Sequence, residues 1–401
     1  MIFIDFDRLM LPPLSNSLLK HMYYFFRLFI SSIIAMTLFG GCGLFVRKPV
    51  HEQMSLIQET QQDLMMRQIW SIPIAKAGHY DFAPVVVGHS ILTLDGKDSV
   101  ICIDADTGVK TWSAKIGSDI TANPGSDGDT TVVATADGNV IALDSSGKQI
   151  WTAPAGGEVL APPLVGRGLV VVRAINGRVL AFDSVSGAVK WIYTQPSLPL
   201  MLRTYSGMIF LGDSAVVASF PGGKLAALDL QTGHPLWIKS LSHIKSITEI
   251  ELMNDVSGTP VPFGQQICAS TFQGRLVCVD AMNGGGIWER EFLSLKQMTQ
   301  DDQMVVAVNP DSSIFSFSAS DGKIYWKNDL LKCRGLSAPL AFGHLFVVGD
   351  LQGYVHFLSR DTGELVFRMK TSSAVSTQPV LAGQTLVIKT CDGNLIGYYP
   401  K

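Results

Sequence analysis

The chain has 401 residues, a formal net charge of −3 and only 16% charged residues. A balance this close to neutral gives no electrostatic basis for binding nucleic acid, and a positive mean hydropathy argues against a disordered chain. Length alone suggests roughly two or three domains, but a repeat along the sequence replaces that estimate with a single ring-like one.

Residues 1–41 read as processing information rather than fold. From Met22 the sequence runs Met-Tyr-Tyr-Phe-Phe-Arg, then an apolar stretch from Leu28 to Phe39, then Gly40-Gly41-Cys42. A short basic start, an apolar core and small residues before a cysteine form a bacterial lipoprotein signal, with Cys42 as the lipidated residue. Phe39 stands where such signals usually carry Leu. The apolar run is shorter than the roughly 20 residues of a membrane-spanning helix. Residues 1–21 contain Pro12-Pro13 and two aspartates and look unlike a signal start, so translation is expected to begin at Met22. Gly43, not Asp, follows the cysteine. By resemblance to sorted lipoproteins this implies a lipid anchor in the outer membrane, on its periplasmic face. Residues 42–67, polar and rich in Gln and Met, read as a tether that can reach tens of ångströms at about 3.3 Å per residue.

Residues 68–401 carry one phrase in eight copies. It is clearest from Asn176 to Trp191: a turn ending in Gly177, an apolar run, Asp183, a second turn ending in Gly187, then Trp191. In chain order, the phrase appears first as Asp98…Asp104…Gly108…Trp112. A copy one residue shorter, Gly138…Asp144…Gly147…Trp151, precedes the clearest one. Gly223…Asp229…Gly233…Trp237 and Gly274…Asp280…Gly284…Trp288 follow it. Ser312…Ser318…Gly322…Trp326 and Gly353…Ser359…Gly363…Phe367 are weaker, and the last copy, from Asp392-Gly393, ends before its aromatic. Trp70 comes before the first copy, so all seven tryptophans keep the register. Their spacing runs from 38 residues (Trp288 to Trp326) to 51 (Trp237 to Trp288). That is the range of one four-stranded propeller blade.

The phrase has a physical reading. The four residues before each aspartate, such as Val179-Leu180-Ala181-Phe182, lack polar alternation, as expected of a strand covered on both faces. The glycine before them supplies the positive φ of a hairpin turn, and the Asp-to-Gly stretch forms a second tight turn. The tryptophan then falls on the outermost strand, where its ring buries area between blades. The last copy lacks its aromatic strand and the chain has a spare one at Gln68-Ile69-Trp70-Ser71-Ile72. The expected fold is all-β: an eight-bladed propeller of four-stranded antiparallel blades, closed by that N-terminal strand, which removes an exposed edge.

Two joints between blades are longer than the rest. The additions are Gln195 to Arg203, apolar with a single Arg, and Ser242 to Pro262, with Glu249, Glu251 and Asp255. Because strands alternate direction, both should leave the same rim, side by side. They suit a partner site, or Leu200 and Leu202 plug the channel mouth.

Catalytic signals are missing from the sequence. The eight histidines are scattered and no cysteine spacing fits zinc; no nucleophile elbow or phosphate loop occurs. Cys102 and Cys278 occupy the position filled by Ala142, Ala181 and Ala227 elsewhere and read as small core residues. Cys268 and Cys278 flank one hairpin. A two-residue turn at Gln273-Gly274 would put them on opposite faces, and only a one-residue shift would bring them together. No metal or cofactor is expected.

The Ala-x-Asp-x-x-x-Gly-x-x-x-Trp phrase resembles the blades of pyrroloquinoline-quinone dehydrogenases. That resemblance implies, as the competing function, a periplasmic quinoprotein with the quinone in the propeller centre; such enzymes commonly carry vicinal cysteines and a calcium site, and this chain has no adjacent cysteine pair. A resemblance covering nearly the whole chain is to the lipoprotein B subunit family of the outer-membrane β-barrel assembly machinery. It rests on Cys42, the eight copies, Pro196-Ser197-Leu198…Leu202-Arg203 and Thr248-Glu249-Ile250-Glu251…Asp255-Val256 with Thr259-Pro260-Val261. It implies a non-catalytic scaffold whose two loops bind the periplasmic POTRA domains of the barrel-forming subunit. The contacts fall on Leu200, Leu202, Arg203 and Asp255. It also implies work on unfolded outer-membrane proteins, by positioning those domains or by receiving substrate strands. Ser257 departs from the family, which often has a second Asp there.

Overall fold

The computed structural model describes residues 66–75, 82–196, 206–241, 255–301 and 303–400, all within one compact unit, Met54–Lys401. Among these residues the chain forms eight four-stranded antiparallel sheets and no helix. Seven blades are continuous in sequence: 85–115, 125–154, 164–194, 208–240, 256–291, 299–328 and 340–370. The eighth takes three strands from 380–400, and its outermost strand is Met66–Pro73, antiparallel to Asn394–Pro400. The closing strand therefore exists as expected and starts at Met66, two residues ahead of the expected boundary. From blade 2 round to blade 8 the first strands of neighbouring blades touch, as do those of blades 8 and 1, and blades 1 and 2 share an apolar cluster that includes Leu92, Cys102, Val133 and Leu143, so the ring is closed.

The repeated phrase locks each blade to the next. Trp191 lies on the outer strand of blade 3, directly across from Ala181, the small residue two before the aspartate. Its indole N–H donates to the Leu230 carbonyl of blade 4 at 2.8 Å, and its ring lies flat on Gly233. A Cβ there would come within 2.5 Å of the ring, so only glycine fits. The same dock joins Trp70 to Ala105, Trp151 to Ser184, Trp237 to Ala281, Trp288 to Ala319 and Trp326 to Arg360. The aspartate shapes the receiving turn: Asp229 accepts hydrogen bonds from the Thr232 N–H and hydroxyl at 2.8 and 2.7 Å.

The eighth aromatic position is Phe367, not Trp. The outer strand of blade 8, Met66–Pro73, comes from the far end of the chain, so no Asp-to-Gly hairpin links it to Asn394–Pro400 to offer a carbonyl or a glycine shelf. An indole N–H there would have no acceptor of this kind. Phe367 instead packs on Phe357, its cross-strand partner, with ring centroids 5.2 Å apart.

One sequence expectation is corrected. The second hairpin of blade 5 turns through three residues, Phe272-Gln273-Gly274, because Thr271 pairs with Arg275. The odd turn length puts Cys268 directly opposite Cys278, and a disulfide joins them. Cys278 is therefore a bridged residue and not a reduced core thiol, while Cys102, Cys333 and Cys391 are free.

Candidate partner-binding rim

Strand direction divides the turns between two rims. On one rim, the outer-to-inner joints of blades 2, 3, 4, 5 and 7 begin by bonding to the glycine of their own blade's second hairpin. Gln195 N–H donates to Gly177, Leu241 N–H to Gly223 and Phe292 N–H to Gly274. Both long joints therefore leave and re-enter on this rim, as the sequence suggested. Leu200, Leu202 and Arg203 lie outside the described residues, as do Glu249 and Glu251.

The described stems of the two joints are tied together. Ser206, where the first joint returns, bridges in parallel to Gly258, past the end of the second. The Ser206 hydroxyl donates to the Val256 carbonyl at 2.7 Å, and Gly207 N–H donates to the Gly258 carbonyl at 3.1 Å. Gly207 has to be glycine, since a Cβ would meet Thr259 at 2.1 Å. The contact exists because the first strand of blade 5 bulges: its register slips between Ser257 and Val261, leaving Gly258-Thr259-Pro260 out of the ladder. Gln297 of the next joint braces that bulge, its amide accepting from Thr259 N–H at 2.7 Å and donating to Thr259 O at 3.0 Å.

Asp255 does not stand on the surface. It is 3% exposed, and its carboxylate accepts a hydrogen bond from Gly222 N–H at 3.0 Å. It also faces Arg173, a buried guanidinium whose pKa burial lowers to about 10, against the opposing pull of the Asp255 charge. A carboxylate so enclosed fastens blade 3, blade 4 and the second joint at one point. Ser257, where the family resemblance expected a second acid, is also buried, and a carboxylate there would need a partner of its own. Sequence reasoning missed Arg173, although an arginine closing the wholly buried strand Leu169–Arg173 is a legible anomaly.

The same rim opens onto the axis through a cavity of about 560 Å³. Its lining includes Phe82, Leu160, Asn123, Gln297, Thr377 and, as the one ionisable group, Lys296. Among the described residues, no cluster of three or more His, Cys, Asp or Glu side chains is placed to hold a metal ion. The described lining residues include neither a carboxylate nor a thiol for a quinone–calcium centre.

Comparison with known proteins follows this geometry. A family model described as outer membrane protein assembly factor BamB matches residues 96–328. The BamB of Burkholderia pseudomallei is 44% identical over 373 residues, covering 93% of this chain and 97% of the relative. The BamB of Bordetella pertussis is 34% identical, covering 89% and 93%. The crystal structure of BamB from Moraxella catarrhalis superposes with a TM-score of 0.74 at 25% identity, covering 84% of this chain and all of that one. The quinohemoprotein alcohol dehydrogenase of Comamonas testosteroni reaches a TM-score of 0.66 at 14% identity, covering 83% and 76%; that likeness is one of fold. With a family model spanning more than half its length and relatives matched almost end to end, the chain belongs to the BamB family of outer-membrane protein assembly factors.

Proposed function

We propose that this assembly factor is a non-catalytic scaffold lipoprotein, anchored through Cys42 to the periplasmic face of the outer membrane. It binds POTRA domains of the barrel-forming subunit through the rim that carries its two long joints. The observation that carries the reading is the interlock of the two stems at Ser206, Val256 and Gly258. The stems of two insertions of unrelated sequence are tied together, which supports a surface shared by a single partner. Leu200, Leu202 and Arg203 make the direct contacts. Asp255 acts beneath them, fixing the base of the second joint against Gly222 and Arg173.

The test is calorimetric titration of isolated POTRA domains into the purified protein. Arg203→Glu should weaken binding strongly, since it adds repulsion and strands a partner group. Leu202→Ala should cost about 1–3 kcal/mol of binding as an anchor residue. Neither substitution should change the melting temperature. Lower melting with unchanged binding in Leu202→Ala would instead make the loop a channel plug.

A further inference from the structure

One seam of the ring is built differently from the others. The turn of blade 2, Asp144-Ser145-Ser146-Gly147, is one residue shorter than its counterparts, such as Asp183-Ser184-Val185-Ser186-Gly187. Elsewhere the residue after the aspartate position serves two bonds. Its N–H reaches the first hairpin of its own blade, as in Ser184 to the Gly168 carbonyl, and its carbonyl receives the neighbour's indole. Ser145 makes neither bond and is exposed, where Ala105, Ser184, Leu230, Ala281 and Ala319 are buried. Trp112 still stacks on Gly147, but its indole N–H has no acceptor among the described residues, and the ring is only half-buried.

A pocket of about 320 Å³ occupies the space this leaves between blades 1 and 2. Its apolar walls are Val87 and Leu92, and Trp112 and Cys102 also line it. Ser90, Ser126, Thr131 and Ser145 bring hydroxyls. Among the described residues, those of Ser90 and Ser145 have no partner, and Ser126 is used only as an acceptor, from Gly128 N–H and the Thr131 hydroxyl. Among the described residues, no side chain that is charged at neutral pH lines the pocket.

We propose that this seam is a binding site for a neutral saccharide. The absence of lining charge disfavours anions, cations and zwitterions, whose desolvation would go uncompensated. A purely apolar occupant would bury the indole N–H and the hydroxyls unpaired. A sugar presents both complements: C–H faces for Val87 and Leu92, and oxygens for the Trp112 N–H and the hydroxyls. The volume is at the lower end for ligand pockets, the size of a mono- or disaccharide.

The test is an NMR titration of the full mature protein, ¹⁵N-labelled, with N-acetylglucosamine and with glucose. The indole N–H resonance that vanishes in Trp112→Phe identifies the site. It should shift saturably with a dissociation constant of roughly millimolar order, while the other indoles stay still. Inserting Val between Ser145 and Ser146 recreates the blade 3 turn and should abolish the shift. Should that variant misfold, calorimetry on Trp112→Phe, which keeps the ring, should show about tenfold weaker binding. Tighter binding of chitotetraose than of the monosaccharide marks the source as a glycan chain, and equal binding marks a free sugar. No shift with any sugar, a shift that survives the insertion, or a saturable shift with free indole alone overturns the proposal.

Discussion

Replacing Trp70 tests how the ring is held shut. Trp70 is 8% exposed and packs with Ile91, Ile101, Ile103 and Leu395, joining the first and last parts of the chain. Its indole donates to the Ala105 carbonyl at 2.9 Å, and its ring rests on Gly108. Trp70→Ala removes the ring and leaves a cavity between blades 8 and 1, a loss of about 3–5 kcal/mol. Against a total stability on the order of 5–15 kcal/mol, that is a large fraction. Trp70→Phe keeps most of the ring but strands the buried Ala105 carbonyl, which costs about 1–3 kcal/mol. Trp112→Phe is the internal control: its N–H is not used within the protein, so the change should stay within about 0.5 kcal/mol. Urea denaturation followed by both tryptophan fluorescence and circular dichroism gives the differences, and coincident curves license a two-state reading. Trp70→Ala as stable as the parent would refute closure by Met66–Pro73. Equal costs for Trp70→Phe and Trp112→Phe would refute the distinction between docked and undocked seams.

Three further outcomes follow from the same contacts. Asp255→Asn should lower stability by about 1–3 kcal/mol, because buried Arg173 loses its countercharge and Gly222 N–H a charged acceptor; thermal melting checks it. Alanine at both Cys268 and Cys278 should cost roughly 2–3 kcal/mol, as expected for a bridge closing a short loop, and thiol mapping of the denatured parent should show Cys102, Cys333 and Cys391 reactive and this pair blocked. Stability should also fall with acid in two stages. Burial holds the His356 ring below its usual 6.5, though Asp350 on its Nε2 opposes this and Arg334 and Arg368 add to it. The depressed pKa makes its contribution complete above pH 6.5 and lost as pH drops below it. The turn carboxyls are held below 3.8 by the Thr107 hydroxyl on Asp104, the Ser146 hydroxyl on Asp144, the Ser186 N–H on Asp183 and the Thr232 hydroxyl on Asp229. Their contribution is complete above 3.8 and disappears at lower pH, so melting temperature against pH should show a second loss there.

The sequence made the fold legible because one phrase encodes one interblade lock. Small residue, aspartate, glycine and tryptophan are spaced by the geometry of a turn that receives its neighbour's ring, so the spacing itself reveals the ring. Even Phe367 is explained by the same rule, since no hairpin joins the last two strands of blade 8 to receive an indole. What stayed hidden depended on single residues of turn length or on partners far apart in the chain. A three-residue turn instead of two decides whether Cys268 and Cys278 meet. The burial of Asp255 depends on Arg173 and Gly222, two blades that no local pattern connects to it. The shortened phrase at Asp144–Gly147 was visible as a spacing, but its consequence, an indole released into a pocket, appears only when the neighbouring blade is in place.

The most direct measurement of the central claim is hydrogen exchange on the protein with and without bound POTRA domains. The proposed arrangement requires new protection in residues 195–207 and 241–258, at and beside the interlocked stems. The Asp-to-Gly turns of the opposite rim, such as Asp183–Gly187 and Asp229–Gly233, should exchange as before. Protection confined to those turns, or to the outer strands, with the two long joints unchanged, would contradict the assignment of this rim.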